Sequence, residues 1–218
     1  MKEVFNLPNQ NQNQNQMQGG TQMPQNMANQ AINYNHGAHE ILDSHELIGG
    51  LIGVLEHYQL YDQQIQDQEL KGILQRQSSF MTQMYNTIVE SFSTGQDPTV
   101  PTQQYEMNQS NEVIFGVKAG QPKKPKQSVS EFTDECYSSF MLGQTKATCS
   151  TFTMAAAEMN NPVLRRVLSD SVPNLIEMSY ELFLYQNKKG YYQVPQLKEQ
   201  DMNIMLQAYT KAPQQGMH

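Results

Sequence analysis

From His39 to Phe92 apolar residues recur at three- and four-residue spacing with no intervening proline, a pattern that predicts helix throughout. Ile41, His45, Ile48, Ile52, Leu55 and Gln59 mark one face, flanked by Leu42, Leu51 and Tyr58. A polar patch from Asp62 to Asp67 interrupts the run before Leu70, Ile73, Leu74, Phe80, Met81, Met84, Ile88 and Val89 resume it. The expectation is an antiparallel hairpin of two helices, residues 39–64 and 67–93, with Asp67 as the second N-cap and Gly95 just past its end.

Residues 95–127 then carry four prolines and little periodicity. A connection of this length can travel the length of a bundle, whereas neighbouring antiparallel helices need roughly two to eight residues. Its short apolar piece, Val113 to Val117, is expected to pack along the helices as it crosses. Ser128 to Glu131 has capping-box spacing and predicts a third helix over 130–159, with Phe132, Cys136, Phe140, Gly143, Ala147, Met154 and Ala157 on one face. Asn161 and Pro162 suit the cap and first turn of a fourth helix, 162–188, built on Leu164, Leu168, Leu175, Ile176, Leu182 and Tyr185, with a kink expected at Pro173. After Gly190 and an aromatic strap, a short helix over 199–209 is expected to lie across the bundle. The domain limits follow as a tail over 1–35 and a helical bundle over 36–210.

Composition narrows the function. A net charge of −7 and pI near 5.2 argue against nucleic-acid binding, because phosphate attraction needs a basic face and only Lys123, Lys124 and Lys126 cluster. No apolar run approaches the roughly 20 residues of a membrane span, and the N-terminus lacks the apolar block of a signal peptide. Residues 1–35 are rich in Gln and Asn, too poor in large apolar groups to offset the entropy of ordering, so a disordered tail is expected. Amide side chains there and the three lysines also form a possible adhesive or cross-linkable set. Cys136 and Cys149, thirteen residues apart on one predicted helix, stand roughly 20 Å from each other and cannot join in a disulfide.

His36, His39 and His45 open the first helix among Glu40, Asp43 and Glu46, and imidazole with carboxylate at helical spacing suggests a metal site near His39, Glu40 and His45. A carboxylate-bridged di-metal centre needs Glu-x-x-His on two helices, and the sequence has none. Surface or core-edge histidines are therefore the expectation, and no catalytic, cofactor-binding or metal-ligating residue is assigned. Arg165 and Arg166 are expected to pair with Glu158 or Asp170 on a solvated face.

The stretches Asp67–Leu74 and Asn161–Leu168 share a pattern of cap, leucine three later, base four later and an apolar pair beyond, at an offset of 94 residues (161 − 67). With the long crossover this suggests two similar hairpins side by side, the topology of a ferritin-like bundle. The blocks Ala155 to Leu168, Tyr180 to Phe183 and Lys189 to Pro195 resemble the coat F family of endospore-forming bacteria, most closely over Asp134 to Leu197. The resemblance implies an all-α, ferritin-like four-helix bundle and a non-enzymatic structural role in the spore coat, reached from the mother-cell cytoplasm. It implies other spore coat proteins as partners, with self-association possible, and carries no cofactor or catalytic residues. The alternative weighed against it is a ferritin-like di-metal oxidase or catalase-type enzyme.

Overall fold

Two side chains set the second helix of each hairpin. Asp67 accepts hydrogen bonds from the backbone N–H groups of Glu69 (2.8 Å) and Leu70 (3.2 Å), and Asn161 accepts from Val163 (2.9 Å) and Leu164 (3.0 Å). Each satisfies donors that the first turn of a helix leaves without partners. In the computed structural model, which describes residues 36–213, the resulting elements are α1 (Ala38–Asp62), α2 (Gln68–Thr94), α3 (Asp134–Glu158), α4 (Pro162–Lys188) and α5 (Glu199–Leu206). The expected Gln/Asn-rich tail over 1–35 lies outside the described residues. Gly95 closes α2 and Gly190 follows α4, both at positive φ (65° and 74°), a conformation that costs glycine nothing.

The four long helices form one all-α bundle. Tyr58 meets Thr145 and Ser44 meets Met159, so α1 runs antiparallel to α3; Gln77 meets Met178 and Glu69 meets Lys188, so α2 runs antiparallel to α4. Consequently α2 and α3 are parallel, and the chain between them returns along the bundle, a connectivity compatible with a ferritin-like fold. Leu51, Tyr58, Leu70, Ile73, Met81, Ile88, Met141, Phe152, Leu164, Leu168, Leu175 and Tyr185 fill the centre.

The buried stripe of α1 differs from the expected one. It runs Glu40, Ser44, Leu47, Leu51, Val54 and Tyr58, while Ile41, Leu42 and Ile52 face outward. Apolar residues on several sides of α1 make periodicity ambiguous, and polar groups at core positions hide the true stripe. The face of α3 is also corrected. Tyr137, Ser138, Met141, Leu142, Thr145, Phe152, Ala155 and Ala156 are buried, whereas Phe140, Gly143, Ala147, Met154 and Ala157 are exposed. Ser138 and Thr145 belong in that core because Gln186 (3.2 Å) and Tyr58 (3.3 Å) satisfy them.

Three further expectations are revised. Ser128 caps only a short 3₁₀ turn, Val129–Glu131, and α3 starts at Asp134 after Thr133. Val113 to Val117 does not bury its apolar side chains: Ile114, Phe115 and Val117 are exposed, because hydrogen bonds of the backbone hold this segment in place. The last helix ends at Leu206 and, with no buried residue, does not lie across the bundle. In α4 the apolar stripe is buried as expected except at Ile176, and the helix continues through Pro173.

Leu168 is fully buried. Leu168→Ala is expected to lower stability by about 2 to 5 kcal/mol in urea unfolding, the range for a core leucine whose cavity relaxes incompletely; a loss below about half a kcal/mol is incompatible with this packing.

Candidate functional site

At each end of the bundle one carboxylate from the first helix of a hairpin holds the cap of the other hairpin. Glu40, fully buried near the start of α1, accepts through Oε2 from the backbone N–H of Asn160 (2.8 Å) and Asn161 (3.0 Å), just before α4. Asp134, at the start of α3, accepts from the backbone N–H of Gln66 and Asp67 (3.0 Å each), just before α2. The two latches are related by the offset read from the sequence, since 134 − 40, 160 − 66 and 161 − 67 all equal 94. The spans of α2 and α4 obey it as well (162 − 68 and 188 − 94), and buried Ser44, Leu47, Leu70 and Leu74 correspond to Ser138, Met141, Leu164 and Leu168.

Between the latches a polar chain crosses the core. Thr145 on α3 meets the Tyr58 hydroxyl on α1; Tyr58 donates to Gln77 Oε1 on α2 (3.0 Å); and Gln77 Nε2 donates to Glu181 Oε2 on α4 (3.1 Å). Glu181, fully buried, also accepts from Arg76 Nη2, the Tyr105 hydroxyl and the Asn108 backbone N–H (3.2 Å). Four donors thus occupy its two oxygens, and one of them carries the compensating charge, which is what makes a buried carboxylate tolerable. Burial raises the Tyr58 and Tyr105 hydroxyls far above the ordinary phenol range, reinforced at Tyr105 by the Glu181 carboxylate, so both act as neutral donors. Burial opposes the charge on Arg76, and Glu181 more than offsets it.

The crossover is seated on α4 by two asparagines. Asn174 accepts from the Tyr105 N–H (2.8 Å) and donates to Gln103 O (2.9 Å); Asn187 accepts from the Ile114 N–H (2.6 Å) and donates to Ile114 O (2.9 Å). Each amide thereby imitates the two hydrogen bonds of a neighbouring strand. Tyr105, buried between them, presents its ring edge-on to Phe80.

The histidines flagged in the sequence are dispersed. His36 Nδ1 lies 2.5 Å from Glu40 Oε1, His45 sets its ring edge against Phe92, His57 Nδ1 meets Gln144 Nε2 (2.7 Å), and His39 is exposed. Glu40 is committed to the latch, and among the described residues no three His, Cys, Asp or Glu side chains stand close enough to share a cation. Cys136 and Cys149 are free thiols at the core edge, and burial raises the Cys149 thiol, away from the thiolate form that nucleophilic cysteines need. Arg166 pairs with Asp97 in the crossover instead of Glu158 or Asp170, because the chain leaving α2 passes beside the first turn of α4. Asp134, Asn174, Asn187 and Glu181 were not singled out by sequence. The 94-residue offset applied to Glu40 would have located Asp134.

Two outcomes test this arrangement. Removing Glu181 strands Arg76, so Glu181→Ala is expected to destabilise by about 3 kcal/mol or more, with strong non-additivity in the cycle completed by Arg76→Ala. At Asp67 desolvation pushes the carboxyl up, but Lys189 and the Leu70 and Glu69 N–H groups pull it net below the ordinary range. A depressed carboxylate contributes stability above the unfolded value of about 3.9 and loses it as pH falls through the folded value. Urea unfolding should therefore show wild type losing stability below about pH 4 more steeply than Asp67→Asn, which cannot titrate.

The family model described as the Coat F domain matches residues 133–195, which take in α3, α4 and the strap beyond. The chain is 46% identical over 180 residues to the spore coat protein F-like protein YhcQ of Bacillus subtilis (strain 168), covering 83% of this chain and 82% of that protein. No solved structure matches. With that identity over 83% of its length, and the Coat F domain matched across α3 and α4, the chain belongs to the coat F family.

Proposed function

We propose that the protein is a structural, non-enzymatic component of the bacterial spore coat. The observation that carries this reading is the 46% identity to a spore coat protein F-like protein across 83% of the chain. The geometry is in keeping with it. Glu181, the one buried carboxylate at mid-bundle, spends its acceptor capacity on tying together α2, α4 and the crossover, and Glu40 spends its own on a latch. These are the investments of a rigid block. The partners in this reading are other coat proteins.

In the finer form of the reading, residues 1–35 act as an adhesive or cross-linkable arm. The amides of that segment and the exposed amines of Lys123, Lys124 and Lys126 supply acceptors and donors for bonds between chains. Synthesis in the mother-cell cytoplasm and transfer to the spore surface complete it.

A fluorescent fusion followed through sporulation is expected to gather as a ring on the developing spore; signal that stays uniform in the mother cell until lysis rejects the coat assignment. Deleting residues 1–35 is expected to leave the thermal unfolding of the bundle unchanged while weakening retention on washed spores. Equal retention rejects the arm and leaves the coat role standing.

A further inference from the structure

Beyond the bundle, α5 is a helix that buries none of its residues. It has eight residues, none buried, and Ile204, Met205 and Leu206 are 64%, 62% and 79% exposed, with Tyr209 just beyond at 91%. Within the helix, half-buried Met202 and exposed Met205 and Leu206 follow the i, i+3, i+4 spacing of a packing face. A helix this short does not persist in water on its own propensity, since isolated helices below roughly 12 residues are marginal. Its apolar face therefore calls for a surface supplied from elsewhere.

An exposed apolar strip is bridged to the chain that leads into α5. Ile114, Phe115 and Val117 are 56%, 55% and 68% exposed on a segment held by backbone bonds to Asn187 and Val194. The charges are complementary. Residues 113–127 carry Lys118, Lys123, Lys124 and Lys126 with no acidic residue, whereas α5 carries Glu199 and Asp201 in its first turn. Lys123 pairs with Glu135; among the described residues no ion pair uses Lys118, Lys124, Lys126, Glu199 or Asp201.

We propose that two copies of the chain pair about a two-fold axis, α5 of each docking on the Ile114, Phe115 and Val117 strip of the other. The two-fold follows from how the pieces are joined. Gly116 donates to Val194 O (2.8 Å), and α5 begins five residues after Val194, so each helix is rooted beside its own strip. Bringing one helix onto the partner's strip then brings the partner's helix onto the first, a self-complementary contact that closes at two. Lys118 and Lys124 face Glu199 and Asp201 at its rim.

The inference concerns a surface that the coat assignment does not use. It is tested in solution without spores, so the two fail independently. Light scattering on the purified full chain is expected to give twice the 24.9 kDa of one copy. Leu206→Asp and Phe115→Asp should each return it to one copy with unchanged helicity and melting of the bundle, both sites being exposed. Should either variant unfold, the gentler pair decides: Lys118→Glu with Lys124→Glu is expected to weaken association roughly fivefold, and adding Glu199→Lys with Asp201→Lys to restore it. A single copy up to the solubility limit overturns the proposal. So does a dimer indifferent to all these changes, or an α5 protected from hydrogen exchange equally at every concentration, which would mean docking within one chain.

Discussion

Every helix begins with backbone N–H groups that have no partner within it, and in this bundle that obligation is used to join the halves. Asp67 and Asn161 satisfy the first turns of α2 and α4, while the residues just before those turns donate to Asp134 and Glu40 from the opposite hairpin. The capped turn of one hairpin is thus fixed to the first helix of the other at both ends. Charge-assisted bonds to backbone donors are stronger than neutral ones and have fixed direction. The relative height of the two hairpins follows from them, and with it the level at which Tyr58 meets Thr145 and Gln77 meets Glu181.

The fixed offset also shows where the halves part company. Glu181 corresponds to Thr87, Arg76 to Asp170, and Gln77 to Ser171 (each 94 apart). A charged hub stands on one side of the pseudo-symmetric core and a hydroxyl on the other. The reason is the crossover: it brings the donors of Tyr105 and Asn108 to Glu181, whereas at Thr87 it presents an acceptor, the Val100 carbonyl (3.1 Å), which suits a hydroxyl. A carboxylate is tolerable at mid-bundle where three elements converge to solvate it, as Glu40 is tolerable at the end of the bundle where two backbone N–H groups meet it.

The four long helices, the caps of α2 and α4 and the crossover were legible in the sequence because they rest on local chemistry: Asp67, Asn161, Gly95, and the apolar spacing of α2 and α4. The faces of α1 and α3 were not. Periodicity assumes that core positions are apolar, and this core admits Glu40, Ser44, Ser138 and Thr145, each satisfied by a residue more than 40 positions away. Wherever α1 presents leucine or isoleucine outward, as at Leu42 and Ile52, the pattern points to the wrong side. A His beside a Glu reads as a ligand pair, yet Glu40 is committed to two amides that no local pattern could place beside it. Asn174 and Asn187 were invisible because an asparagine that grips a passing backbone has no signature in spacing.

The seating of the crossover has a bearing on how the molecule comes into being. Residues 95–127 are made before α4, but both asparagines that grip them, and the carboxylate that Tyr105 reaches, belong to α4. As the chain emerges from the ribosome, the first hairpin is complete while Arg76 and Gln77 still lack their counterpart, and the crossover has its bonds to Thr87 and Glu90 of α2 but none of those that α4 supplies. The last long helix therefore closes the structure in one step, filling the core, neutralising Arg76 and pinning the strap together. Folding of this order couples the two hairpins kinetically: neither half is finished until the end of the other has been made.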